Sequence, residues 1–128
     1  MTAAPARATH PEDWITEVEW QKQVTDLLKV LGWRWMHVRK SKGYGDAWTT
    51  ATNVEGWPDL LCWSIRGRPG FLAIELKVRK NPATPNQLAV LDQLHRAGAK
   101  AWVLYPRHLD ALAGWLTNIE QAPTRIGW

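Results

Sequence analysis

The sequence predicts an α/β fold: a mixed sheet flanked by helices, with the element order α-β-β-β-α-β-α. Three observations predict it. Two amphipathic stretches each open on a capping box, at Thr16/Glu19 and at Thr84/Gln87. Two apolar runs, Leu60–Ile65 and Phe71–Val78, flank the turn Arg66-Gly67-Arg68-Pro69-Gly70. A further apolar run, Ala101–Tyr105, follows the second amphipathic stretch and makes a β-α-β crossover beside the hairpin.

Residues 1–13, Ala/Pro/Thr-rich and without an apolar segment, read as a flexible tail with no secretory signal. Helix follows over 16–31, because Val24, Leu27, Leu28 and Leu31 repeat at helical spacing and Trp20 extends the stripe backwards. Thr16 caps it, Ile15 and Trp20 sit where a hydrophobic staple packs, and Gly32 stops it. Trp33–Val38 reads as a strand, with Trp33, Trp35 and His37 alternating with Arg34, Met36 and Val38. Residues 40–56, rich in Gly and Thr and without a period, read as a long loop. The second helix starts at the Thr84 cap with Pro85 in its first turn, carries Leu88, Leu91 and Leu94, and ends at Gly98. Pro106 opens a third helix bearing Leu109, Leu112, Ala113 and Leu116. The domain is expected over 14–117, with 118–128 a loosely held C-terminal tail.

Composition narrows the function. A chain of 128 residues buries roughly two-thirds of its unfolded surface in one domain. Cys62 is the single cysteine, which excludes an intramolecular disulfide and a Cys₂His₂ or Cys₄ zinc site and suits a reducing compartment such as the cytoplasm. No apolar run approaches the roughly 20 residues of a membrane span. The net charge of +4 is modest, but the bases cluster. Arg34, Arg39, Lys40 and Lys42 fall together without an acid, and Arg66, Arg68, Lys77, Arg79 and Lys80 face a lone Glu75. A solvated face and a nucleic-acid partner both account for such runs.

The hairpin carries the chemistry. Asp59 opens one strand, while Glu75 and Lys77 lie near the end of its partner, all set among apolar residues. Charges in such strands need a partner or a metal. A turn centred on Arg68 would set Asp59 opposite Lys77, with Glu75 on the same face. Two neighbouring carboxylates suit a hard divalent cation such as Mg²⁺, and Lys77 suits a phosphate oxygen or an attacking hydroxide. A structural Asp59–Lys77 ion pair with Glu75 solvated remains the alternative at this point.

Gly56-Trp57-Pro58-Asp59, followed sixteen residues later by Glu75-Leu76-Lys77, resembles the motif of the PD-(D/E)XK, restriction-endonuclease-like nuclease superfamily. The preceding acidic helix, the Gly-x-Pro-Asp form and the following Thr84-Pro85-Asn86-Gln87 are similar to its VRR-NUC family, whose small stand-alone members occur in phages and prophages. The resemblance spans roughly residues 14–117. It implies a Mg²⁺- or Mn²⁺-dependent deoxyribonuclease that hydrolyses phosphodiester bonds, structure-specific on branched, Holliday junction-like DNA and acting as a homodimer in the (host) cytoplasm. It further implies that Asp59, Glu75 and the Leu76 carbonyl hold metal, and that Lys77 is the catalytic lysine. The family's first-helix glutamate matches Glu17 or Glu19. Glu17 is the choice as a further acid of the metal site, because it shares the stripe of Trp20, Gln21 and Val24 whereas Glu19 already caps. Gln87 matches a polar site residue of the family, and the capping box accounts for it equally well.

For the nucleic acid itself, His37 ends the first strand beside the long loop. Arg39, Lys40 and Lys42, with Tyr44 and Trp48 behind them, suit a loop that grips phosphates and stacks on a splayed base, and Arg79 and Lys80 add charge. A solvated connector explains the same loop. Trp20, Trp33, Trp63, Trp102 and Trp115 lie on predicted elements and are expected in the core or an interface. A non-catalytic nucleic-acid binding module on the same fold, and a regulatory protein with an acidic protein partner, are the rival functions.

Overall fold

The computed structural model describes residues 14–38, 40–42, 48–50, 54–68 and 70–128. Helix α1 runs Glu17–Val30, and both arms of the Thr16/Glu19 capping box form. Ile15 and Trp20 are both buried, as a staple requires, and Trp20, Val24 and Leu28 are fully enclosed. Strand β1 follows at Trp33–His37, β4 at Leu60–Ser64 and β5 at Phe71–Leu76, after the short strands β2 (Lys40–Lys42) and β3 (Trp48–Thr50). Helix α2 covers Pro85–Arg96, and β6 covers Lys100–Leu104. A 3-10 turn at Pro106–His108 leads into α3 (Leu109–Thr117), and β7 (Arg125–Ile126) closes the chain.

The main sheet has the order β1-β4-β5-β6-β7. Its first three strands pair antiparallel and its last three parallel. One face packs Leu60, Cys62, Leu72, Ile74, Trp102 and Leu104 against α1 and α3. The other packs Ala73, Ala101 and Val103 against Leu91 and Leu94 of α2. The buried stripe of α2 is Gln87, Val90 and Leu91, and Leu88 is only half-buried. Burial pushes the Cys62 thiol well up, so it stays protonated and inert. Among the described residues no helix is long and apolar enough to cross a membrane.

Three expectations are corrected. The loop expected over 40–56 contains an antiparallel ribbon, in which β2 pairs with β3. Lys-Ser-Lys and Trp-Thr-Thr carry no alternating apolar face, so periodicity does not register them. The segment from Asn118 is not loosely held. Indole N–H groups tie it down, Trp102 Nε1 to Pro123 O at 2.8 Å and Trp128 Nε1 to Ala101 O at 2.8 Å, and Lys100 Nζ donates to Ala122 O at 2.9 Å.

The third correction is the register of the β4–β5 hairpin. Leu60 pairs with Ile74 and Trp63 with Phe71, which centres the hairpin on Gly67 instead of Arg68. The turn between β4 and β5 bends at Gly67 and Gly70, both at positive φ, while Ile65 N donates to Gly32 O and extends the β1–β4 pairing. Asp59 therefore falls across from Glu75, not Lys77. The displacement is two residues, so all three charges keep to one face.

Gly56 shows how tightly the segment before Asp59 is fitted. Its φ is +87°, and a Cβ there would lie 2.6 Å from the Asn86 backbone in the first turn of α2. Gly67 has a similar φ of +77° with nothing nearby. Gly56→Ala should cost at least about 2 kcal/mol more than Gly67→Ala, which carries only the backbone penalty of about 1–2 kcal/mol. Denaturant titration of the two variants checks this, and equal losses would show that the Gly56 loop is free to move off α2.

Candidate active site

Glu75 is the anchor. It sits in β5 on the α2 side of the sheet and is 2% exposed. A carboxylate this deep requires compensation. Gln87 Nε2 donates to Glu75 Oε2 at 3.0 Å, and Lys77 Nζ lies 3.6 Å from the same oxygen. The Gln87 amide is held from behind, its Oε1 accepting from Thr84 N at 2.8 Å. With the carbonyl oxygen committed to the helix cap, the NH₂ end is left to face Glu75. Gln87 thus serves the cap and the site at once. The alternative of a solvated Glu75 with an Asp59–Lys77 ion pair does not hold, since Lys77 pairs with Glu75.

Asp59 stands just before β4, behind the buried Pro58. Its Oδ2 accepts from Leu76 N at 2.7 Å, a short charge-assisted bond that pins the start of β4 to the end of β5. Lys77 N donates to Leu104 O at 3.0 Å, and Trp20 Nε1 donates to the same carbonyl at 3.0 Å. One carbonyl therefore ties the first turn of α1, the strand end bearing Lys77 and β6 together. The Lys77 side chain is 17% exposed, so its ammonium is largely enclosed beside Glu75.

Asp59, Glu75, Leu76, Lys77 and Gln87 are thus brought to one end of the sheet. Glu17 is exposed on the first turn of α1, a helix packed on the opposite face. Among the described residues no three His, Cys, Asp or Glu side chains stand close enough to share a metal ion, so Glu17 is not gathered with Asp59 and Glu75. Gln21, half-buried, lies one turn further along α1. His37 ends β1 exposed, paired with Leu60 beside Asp59. Arg79 and Lys80 are exposed on the turn after β5, and Arg79 takes the left-handed conformation at φ 56°. Lys40, Lys42 and Trp48 fall on the ribbon, with Lys42 paired to Trp48. Arg39 and Tyr44 lie outside the described residues.

Two carboxylates and a strand carbonyl offer hard oxygen donors, and a lone ammonium beside them offers a compact positive charge. That donor set fits a divalent cation of the Mg²⁺ type better than a soft metal. The VRR-NUC domain model matches residues 13–107. The chain belongs to the VRR-NUC family. No curated protein and no solved structure matches it. Membership makes this a nuclease-type domain with DNA as its class of partner, on a restriction-endonuclease-like α/β core.

Several features of this VRR-NUC site were hidden from sequence reading. The Asp59–Leu76 bond follows from the true register, and the sharing of Leu104 O has no sequence signal. Trp63 is 43% exposed and not part of the core. The alternation of β4 was its signal, since Leu60 and Cys62 face the α1 core and Trp63 does not.

Because Asp59 holds a buried strand end, its removal should be felt in stability. Asp59→Ala should lose about 1.5–3 kcal/mol, the contribution of a hydrogen bond to a charged group. Asp59→Asn, which keeps an acceptor oxygen, should lose less than half of that. Urea unfolding of both variants decides it, and equal losses would mean that the Leu76 N–H needs no side-chain partner.

Proposed function

We propose that this VRR-NUC protein is a metal-dependent DNA endonuclease that hydrolyses phosphodiester bonds in branched DNA of the Holliday-junction kind, acting as a homodimer. The observation that carries the reading is the buried Glu75 carboxylate, held by Gln87 and Lys77 beside Asp59. A structural core gains nothing from placing two acids and a lysine at one sheet end. Asp59, Glu75 and the Leu76 carbonyl would hold Mg²⁺ or Mn²⁺. Such an ion, when bound, supplies Lewis-acid polarisation of the phosphate and activation of water.

The chain's own residues do the rest. Lys77 stabilises negative charge that develops at the phosphate, and Gln87 keeps Glu75 in a fixed orientation. Glu17, although not gathered with Asp59 and Glu75, supports the site from the first turn of α1 without sharing their ion, a role favoured by Trp20, in the same turn, and Lys77 meeting at Leu104 O. His37, Arg79, Lys80 and the ribbon with Lys40, Lys42 and Trp48 grip the nucleic-acid backbone. A branched substrate cut on two strands calls for two matched sites, which a two-fold dimer supplies.

Cleavage of labelled duplex, flap, fork and four-way junction DNAs, with and without Mg²⁺ or Mn²⁺, tests this. Cutting should need the metal and favour the junction. Lys77→Ala should lower the rate at least ~10²-fold, the scale of one lost transition-state stabiliser. Glu17→Gln should slow cutting with little change in melting temperature. Cutting in EDTA, or full activity in Lys77→Ala, would refute the assignment. Binding without any cutting would return the domain to a non-catalytic nucleic-acid module.

A further inference from the structure

Helix α2 packs on β5 and β6, and among the described residues no helix packs on the same side of β1 and β4. Alternation places Arg34 and Met36 of β1, Leu61 and Trp63 of β4, and Phe71 of β5 on this side, the side of Asp59 and Glu75. Register arranges them in rows across the sheet: Arg34–Trp63–Phe71, then Met36–Leu61–Ala73, then the row of Asp59 and Glu75. Trp63 is 43% exposed and Met36 48%. Large apolar groups left bare on a sheet face mark a binding surface. Arg34 is exposed and has no acidic partner among the described residues.

We propose that this open face is a track for an unpaired nucleic-acid strand adjoining the cut, with Trp63 as the stacking platform and Arg34 as the phosphate contact. The proposal rests on the nuclease reading only in placing the scissile end at Asp59 and Glu75. Three residues of β4 separate Asp59 from Trp63, four steps or about 13 Å of strand, a span that a few extended nucleotides cover. Bases inside a duplex are already stacked on each other, so an indole face exposed on a flat sheet takes a base that is free. Charge complementarity points the same way. The three strands carry no acid but Glu75, and Arg34, which shares a cavity with Lys29 and Asp26, is their one Arg or Lys.

A second copy of the chain fits this face poorly. Two-fold pairing would set Arg34 against another Arg34, burying like charges, or against Asp59 and Glu75, closing the site. The substrate class that follows is branched DNA with bases unpaired at the branch beside the cut, as in a flap, a fork or the opened centre of a four-way junction, not a continuous duplex.

The test is fluorescence anisotropy of labelled oligothymidine and of a blunt duplex, in EDTA, with wild type, Trp63→Ala, Trp63→Phe and Arg34→Ala. Trp63→Ala should weaken oligothymidine binding roughly tenfold, within the range for one lost base stack, and leave duplex affinity within about twofold. Trp63→Phe, which keeps a π face and guards against a folding artefact, should stay within about threefold of wild type for both. Arg34→Ala should lower the slope of log affinity against log salt by about one unit. Wild-type affinity for oligothymidine in Trp63→Ala, or equal losses on both DNAs, would overturn the proposal. A wild-type dimer that dissociates on Trp63→Ala while oligothymidine binding is unchanged would overturn it in favour of a second copy. Hydrolysis is not read in EDTA, so a missing nuclease activity counts against the nuclease reading and not against the track.

Discussion

A carboxylate buried in the middle of a sheet is the constraint around which this protein is built. Glu75 sits on β5 at 2% exposure, where an unsupported charge would cost several kcal/mol. Its support comes from Gln87, and Gln87 is itself fixed by the cap of α2. The position of α2 over the sheet is therefore tied to the site. Gly56 fits against the same first turn of α2, so the segment leading to Asp59 is referenced to that helix too. Asp59 then closes the circle by accepting from Leu76 N, next in the chain to Glu75. The local chemistry of one cap thus sets the spacing of the two acids.

The two faces of the sheet divide the work. The face against α1 and α3 holds the larger core, with Trp20, Leu28, Leu60, Cys62, Leu72, Ile74, Trp102, Leu104, Leu112 and Leu116. The face under α2 is less apolar and carries the charges at one end and the bare Trp63 and Met36 beside them. Stability is concentrated on one side of the β-layer and chemistry on the other. The link between them is Leu104 O, which accepts from Trp20 on the core side and from the backbone of Lys77 at the strand end.

Much of this was legible in the sequence because the signals were local. Capping boxes at Thr16/Glu19 and Thr84/Gln87 announce both helix starts, and both form in full. The convergence of Asp59, Glu75 and Lys77 on one face followed from strand alternation, and it survived a register displaced by two residues because parity was kept. What was not legible depended on distant partners. The exact pairing depended on where the turn bends, at Gly67 and Gly70, and the C-terminal strand on indole donors from Trp102 and Trp128. The β2–β3 ribbon has no apolar alternation to announce it. Glu17 was placed by helical face alone, and face does not reveal that α1 lies across the sheet from Glu75.

The central claim is that Glu75 is buried to hold a divalent cation and not to stabilise the fold. Thermal unfolding with and without Mn²⁺, in wild type and in Glu75→Gln, addresses it directly. A ligand that binds only the folded state raises the melting temperature. Wild type should therefore show a saturable rise with Mn²⁺. Glu75→Gln, which can still accept from Gln87 but leaves Lys77 without its carboxylate, should melt without metal close to or somewhat below the wild-type temperature and gain little from Mn²⁺. An equal rise in both proteins, or a metal-free Glu75→Gln that melts far below wild type, would contradict the account.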